Sequence, residues 1–384
     1  MIISKKIIYE YDNNNNNNNN NYNNNNDNDN YDKLFKNVCK KYGYKNQINV
    51  LPKVNRILVL GDVHGDFNML INMLKIGKVI DNNNNWCGGD TVIVQVGDQI
   101  DRCRYDVFNK ECHTNNKEHN DEGNDLNILI YLTELHFQAS KFNGAVYSLL
   151  GNHELMNVDG DMRYVSHMGL NEFNNFNIDN NNIKDGLYVR KHLFSKGNIL
   201  SEFLACTRRT VLIIGSNLFV HAGLLPEVVN KYSIDNINQI MTLYLLNILN
   251  NKDIEDFSEL FSYKVSPLWN RVYGNIGTDK YNNNLNLNNN SNLNNNSNLN
   301  NNDDINCDLL LNPIKKIYNV DKIYIGHTPL LKNGIGDICN KKVWLTDYGA
   351  SSAFNYFDNN SRSTSRSAQI LEILEDGNII NILK

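Results

Sequence analysis

A chain of 384 residues, 41% of them apolar, carries enough hydrophobic side chain for one large domain or two small ones. Its 37 Lys and Arg against 42 Asp and Glu leave a net charge of −5, which excludes a broad basic surface and with it a nucleic-acid partner. The opening MIISKKIIYEYD has too short an apolar run for a signal peptide and no later stretch reaches membrane-spanning length, so no membrane partner is expected. Seven cysteines, an odd number at irregular spacings, suggest no disulfide framework, and a reducing, cytoplasmic setting is the expectation.

In chain order, residues 1–47 read as an Asn-rich disordered segment, because tracts such as 12–29 cannot bury enough apolar surface to offset chain entropy. The remainder, 48–384, reads as a single domain interrupted by an Asn-rich disordered insertion at 274–310. The stretches 81–86 and 171–185 look like smaller insertions of the same kind. NRILVLGDVHGD (55–66) is an apolar β-type run that ends in Gly-Asp-Val-His-Gly-Asp. A helically spaced segment follows at 67–79, with Met69, Leu70, Met73 and Leu74 on one face. DTVIVQVGDQIDRC (90–103) is a second strand that ends in Gly-Asp; 125–139 is again helical; AVYSLLGNHE (145–154) is a third strand that ends in Asn-His-Glu. This alternation predicts βαβ units and a mainly parallel sheet, whose ligands bind beyond the carboxyl ends of the strands. Two short strands joined by Gly-Ser-Asn lead to His221, and DKIYIGHTPL (321–330) ends in Gly-His. The closing piece holds further strands, the last pair joined by an Asp-Gly hairpin at 376–377.

The polar residues gathered at these strand ends are Asp62, His64, Asp98, Asp101, Arg102, Asn152, His153, His221 and His327. Carboxylates and imidazoles brought together by separate strands are the donor set of a divalent metal site. Asp62 and His64 alternate on one side of an extended chain and reach one ion; Asp98 could bridge to a second ion completed by Asn152, His221 and His327. Two ions about 3.5–4 Å apart can activate a bridging water and clamp phosphoryl oxygens during in-line displacement. His153, beside Asn152, is assigned as the general acid oriented by Asp101, and Arg102 as a phosphate-binding fork. Isolated histidines such as His136 and His192 read as ordinary helix or surface residues.

These motifs resemble those of the phosphoprotein phosphatase (PPP) family of calcineurin-like metallophosphoesterases: GDVHG, GDQIDRC, GNHE, HAG and GHTP stand in the family's order from about residue 55 to 350. The resemblance implies an α/β fold, an α/β/β/α sandwich, with two divalent ions of Mn, Fe or Zn. It assigns Asp62, His64 and Asp98 to one ion, and Asp98, Asn152, His221 and His327 to the other. GNHELMNVDGDMRYV and HAG are similar to the Shewanella-like phosphatase branch, and SPLWNRVYG (266–274) resembles a segment there that supplies a second phosphate arginine, here Arg271. Asp161, Arg163 and Tyr164 are weaker candidates for substrate contact. The implied activity is hydrolysis of Ser or Thr phosphomonoesters on a phosphoprotein or phosphopeptide, with phosphotyrosine open, by direct attack of a hydroxide bridging the two ions. A dinucleoside tetraphosphate hydrolase is the alternative, disfavoured by Glu154 where Asp would be expected; a non-catalytic scaffold is a third reading. One departure stands out. The family's glycine after Asp-Arg is Cys103 here, which would carry a steric cost in a left-handed backbone and could displace Arg102. Cys103, Cys112, His113 and His119 could instead form a zinc clip, although unpaired loop cysteines are the simpler expectation.

Overall fold

The structure, a computed structural model, describes residues 27–104, 112–114, 121–176, 185–276, 299–331, 334–357 and 366–384. Two six-stranded mixed sheets form its centre. In the first, β2 (Arg56–Leu60), β3 (Val92–Gln95), β4 (Ala145–Leu149) and β5 (Arg208–Arg209) run parallel, and β11 (Ile370–Leu374) and β12 (Ile379–Leu383) add an antiparallel edge beside β2. In the second, the order is β1 (Val50–Leu51), β6 (Val211–Ile214), β7 (Asn217–Val220), β8 (Lys322–Ile325), β10 (Val343–Leu345) and β9 (Gly336–Ile338). The strands β2 and β3 are near-continuous apolar runs because a parallel sheet covered on both faces has no wet side.

The strand period of two sorts β6 cleanly. Leu212 and Ile214 join Leu58, Ile93, Phe219, Tyr324 and Trp344 in a core shared by both sheets. Val211 and Ile213 turn the other way and pack with Val228, Ile237, Leu311 and Ile314 of the outer helices. On the first sheet the outer layer includes α2 (Phe67–Ile76), whose start is fixed by Asp66 Oδ1 accepting the Met69 N–H at 3.0 Å, and α3 (Asp125–Ser140). The result is the α/β/β/α sandwich that the sequence implied, with the Asp-Gly hairpin between β11 and β12 also in place.

Five expectations need correction. The N-terminal 47 residues are not uniformly unstructured: α1 (Asp27–Cys39) folds, and Tyr31, Phe35 and Cys39 are buried against the helical side of the molecule. These apolar residues follow the Asn tract closely, and composition averaged over the whole segment hid them. Residues 81–86 are ordered, because Asp81 Oδ1 accepts the N–H groups of Asn83 and Asn85 while Trp86 buries its indole. The insertion expected at 274–310 is folded at both ends, with the chain described to Ile276 and helix Leu299–Tyr318 burying Cys307, while 277–298 lies outside the described residues. Of the smaller insertion at 171–185, the start is folded, with Phe173 and Phe176 buried, while 177–184 lies outside the described residues.

The cysteines are the fifth. Cys39–Cys206, Cys103–Cys112 and Cys307–Cys339 are disulfides, and Cys87 alone is free. Spacing could not show this, since the pairs span 167, 9 and 32 residues and two of them join separate elements. Disulfides persist in oxidising surroundings, so cysteine usage gives no support to a reducing interior. The same pairing removes the zinc clip and the unpaired-cysteine reading: Cys103 and Cys112 are bonded to each other, His113 Nε2 lies 2.8 Å from the Met162 carbonyl, and His119 lies outside the described residues. Among the described residues no helix is long and apolar enough to cross a membrane.

Candidate active site

Every strand-end residue singled out by the sequence lies beyond a sheet's carboxyl edge. Asp62 and His64 follow β2; Asp98, Asp101 and Arg102 follow β3; Asn152 and His153 open helix α4 (Asn152–Val158) after β4. His221 follows β7 and His327 follows β8, so the second sheet completes what the first begins. The loops turn sharply there. Asp98, Asp101, His64 and His327 all hold positive φ, at 52°, 71°, 46° and 69°. At Gly97, itself at φ 100°, a Cβ would lie 2.8 Å from the Gly151 backbone, so only glycine lets the two loops approach this closely.

The six expected ligands converge. His64 Nε2 lies 3.8 Å from Asp62 Oδ2 and 3.7 Å from Asp98 Oδ2. His221 Nε2 lies 3.3 Å from Asp98 Oδ1 and 2.9 Å from Asn152 Oδ1, and its ring centre is 4.9 Å from that of His327. Asp98 is thus the shared member of two groups able to hold an ion. Each imidazole turns its other nitrogen to a backbone carbonyl: His64 Nδ1 to Ile100 at 3.2 Å, His221 Nδ1 to Val96 at 2.8 Å, His327 Nε2 to Trp269 at 2.9 Å. Such carbonyls fix the tautomer and leave the inward nitrogen's lone pair for a cation.

The electrostatics fit that use. Burial, then the Asp347 and Asp98 charges, push Asp62 well above the usual carboxylate range. Its Oδ1 is buried and has no hydrogen-bond partner. A buried carboxylate oxygen without a donor is costly, and a divalent cation is the group that relieves it. Burial works to raise Asp98 too, but the imidazoles of His221 and His153 hold it well below the ordinary value. Burial pulls His64 down, reinforced by the Arg104 charge, and pulls His327 down, reinforced by His221 and Arg271; both rings are therefore neutral, as metal ligands must be.

His153 belongs by distance to the His64–Asp98 group, its Nε2 3.9 Å from Asp98 Oδ2, yet its Nδ1 is committed to Asp101 Oδ2 at 2.8 Å. Asp101 thus fixes the direction of the His153 ring, whose Nε2 faces the ligand cluster. Arg102 is buried, with Nη1 3.1 Å from Asp66 Oδ2 and Nη2 donating to the Ser352 hydroxyl. Cys103 does not have the positive φ that its place in the motif suggested; Asp101 carries it. Arg271 donates to the His327 carbonyl at 2.8 Å and to Thr328 Oγ1 at 3.3 Å, which places a cation beside the second group. Of the weaker candidates, the Tyr164 ring lies 5.0 Å from the His153 ring, whereas Asp161 and Arg163 pair with each other at the surface.

Five contributors were missed. Glu154 is fully buried and accepts the N–H groups of Asp98 at 3.0 Å, Gln99 at 2.7 Å and Gly151 at 2.7 Å, tying the second and third loops together. Burial and then the Asp98 charge push it up to about 7. Asp347, after β10, faces Asp62; its Gly-flanked strand end was a usable signal. Arg104 stacks 4.4 Å from the Phe354 ring, which in turn lies against His64. Arg190 and Asp125, on helices remote in sequence, carried no signal at all.

A family model described as calcineurin-like phosphoesterase matches residues 55–351. An uncharacterized protein of Acanthamoeba polyphaga mimivirus is 35% identical over 272 residues, 65% of this chain and 96% of its own length. Shewanella-like protein phosphatase 2 of Arabidopsis thaliana is 26% identical over 331 residues, covering 78% of this chain and 72% of that protein, and Shewanella-like protein phosphatase 1 of Plasmodium berghei is 27% identical, covering 84% and 76%. Among solved structures, a cold-active protein tyrosine phosphatase superposes with a TM-score of 0.58 at 22% identity, covering 88% of this chain and 81% of that one, which shows the shared fold. Matched by that family model over residues 55–351, the chain belongs to the calcineurin-like phosphoesterase family.

Proposed function

We propose that the protein is a metal-dependent phosphoprotein phosphatase that hydrolyses phosphomonoesters of serine and threonine side chains. The observation that carries this reading is the His153–Asp101 pair at 2.8 Å, set against six buried ligands that share Asp98. Two divalent ions held by Asp62, His64, Asp98, Asn152, His221 and His327 would supply an activated water and charge neutralisation for the phosphoryl group. Arg271, and Arg102 released from part of its pairing with Asp66, would bind non-bridging phosphate oxygens, for which a planar guanidinium is suited. As the P–O bond to the substrate side chain breaks, the His153 Nε2 proton passes to the departing oxygen, and Asp101 at Nδ1 stabilises the imidazolium before the proton is given up. A serine or threonine alkoxide is a poor leaving group, so this proton is worth most on those substrates. The Shewanella-like phosphatases among the relatives support a protein substrate.

The test is a substrate panel on manganese-loaded protein: phosphoserine, phosphothreonine and phosphotyrosine peptides against diadenosine tetraphosphate. Turnover of the phosphoserine and phosphothreonine peptides is expected. Inert peptides with rapid nucleotide cleavage would overturn the proposal, and exclusive cleavage of phosphotyrosine would overturn its serine/threonine part.

A further inference from the structure

Arg190, on α5 (Gly186–Phe194), is the largest fully buried side chain of the described protein. An arginine is buried only when its charge and donors are answered, and here the answers all lead toward the proton donor. Nε donates to Asn157 Oδ1 at 2.8 Å, Nη1 to the Gly169 carbonyl at 3.1 Å, and Nη2 to Asp101 Oδ1 at 3.2 Å and Asp125 Oδ2 at 2.8 Å. The rings of Phe173 and Phe194, each 5.2 Å away and themselves adjacent, pack against the guanidinium. Asn157, in turn, donates from Nδ2 to the same Asp101 Oδ1 and to the His153 carbonyl, both at 2.9 Å.

The Asp101 carboxylate is therefore fixed at both oxygens: Oδ2 by His153, Oδ1 by Arg190 and Asn157. Once the carboxylate plane is set, so is the direction of the imidazole bonded to it. A lysine carries a cation but not the fork; its single nitrogen cannot replace donors that reach Asn157, Gly169, Asp101 and Asp125 at once.

We propose that Arg190, acting with Asn157, is a positioning residue that holds Asp101 and through it aims His153 Nε2 at the leaving oxygen. The inference rests on the proposed role of His153 as proton donor. A structural role alone would slow all substrates alike, whereas a positioning role affects only those that need the proton. The experiment compares kcat of wild type, Arg190→Lys, Asn157→Ser and His153→Asn on a phosphoserine peptide, whose leaving group is an alkoxide, and on 4-nitrophenyl phosphate, whose phenolate departs without help. Metal content is measured on each. Arg190→Lys is expected to lose about tenfold more activity on the peptide than on the aryl ester, in the direction of His153→Asn but smaller, with both ions retained. Should the lysine variant not fold, Asn157→Ser carries the test and is expected to show the same bias. Equal loss on both substrates, or loss of metal together with activity, would overturn the positioning role while leaving the phosphatase reading standing. An unbiased loss in His153→Asn would overturn the donor assignment and this inference with it.

Discussion

The candidate ligand cluster and the proposed proton-donor arm meet at Asp98 and His153, yet they are held by different means. Ligands are tied to backbone: the three imidazoles point one nitrogen at a carbonyl, Asp62 accepts the His327 N–H and Asp98 accepts the His153 N–H, both at 3.0 Å. The donor arm runs through side chains, from His153 to Asp101, Asn157, Arg190 and Asp125, across α4, α5 and the start of α3. The ligand tethers need the two sheets packed together, since His221 reaches Val96 and His327 reaches Asp62 across them. A side-chain network forms only after three helices dock, so it is the half more exposed to loss of helix packing.

That contrast can be broken in order of size. Asp98→Asn takes away the shared charge, and both ions should be lost or greatly weakened, with activity falling by more than about 10³-fold, since bound metal contributes several kcal/mol to the transition state. Elemental analysis checks it; full occupancy in this variant would show that the two groups do not depend on a common ligand. His153→Asn should keep its metal and lose about 10²- to 10⁴-fold in kcat on phosphoserine peptides, the range for a positioned acid. If metal disappears as well, the two halves are one. Removing the Cys39–Cys206 link by the double change Cys39→Ser and Cys206→Ser should lower stability by about 3–5 kcal/mol in denaturant unfolding, given the long loop it closes. Because that link joins α1 to α6 (Ile199–Thr207), which packs beside α5, the donor arm should loosen first while metal content at ambient temperature stays constant. Arg271→Ala should raise KM for phosphopeptide about tenfold with a smaller change in kcat, as expected for one half-exposed charge-assisted contact. Steady-state kinetics separates these parameters.

The legibility of the sequence follows the same divide. Asp62, His64, Asp98, Asn152, His221 and His327 were readable because each sits one to four residues beyond an apolar run, so strand pattern and position predict convergence. Asp101 and His153 were readable as neighbours of those motifs. Arg190 was not: it lies in a polar-looking helix after an Asn-rich stretch, and nothing in GLYVRKHLF distinguishes it from a surface arginine. The disulfides were hidden for a related reason, since a pair 167 residues apart is created by docking and leaves no local trace. The buried half of α1 was lost to averaging, where Tyr31 and Phe35 stand next to a long run of asparagine.

The left-handed backbone at His64, Asp98, Asp101 and His327 has a consequence for how such a chain ages. At each, the backbone alone would favour glycine by roughly 1 kcal/mol, and the side chain's own contacts offset that strain: at Asp101 they are His153, Asn157 and the buried Arg190. Truncating such a side chain relaxes the turn but leaves its buried partners unanswered, so these four positions resist drift to glycine even where catalysis no longer matters.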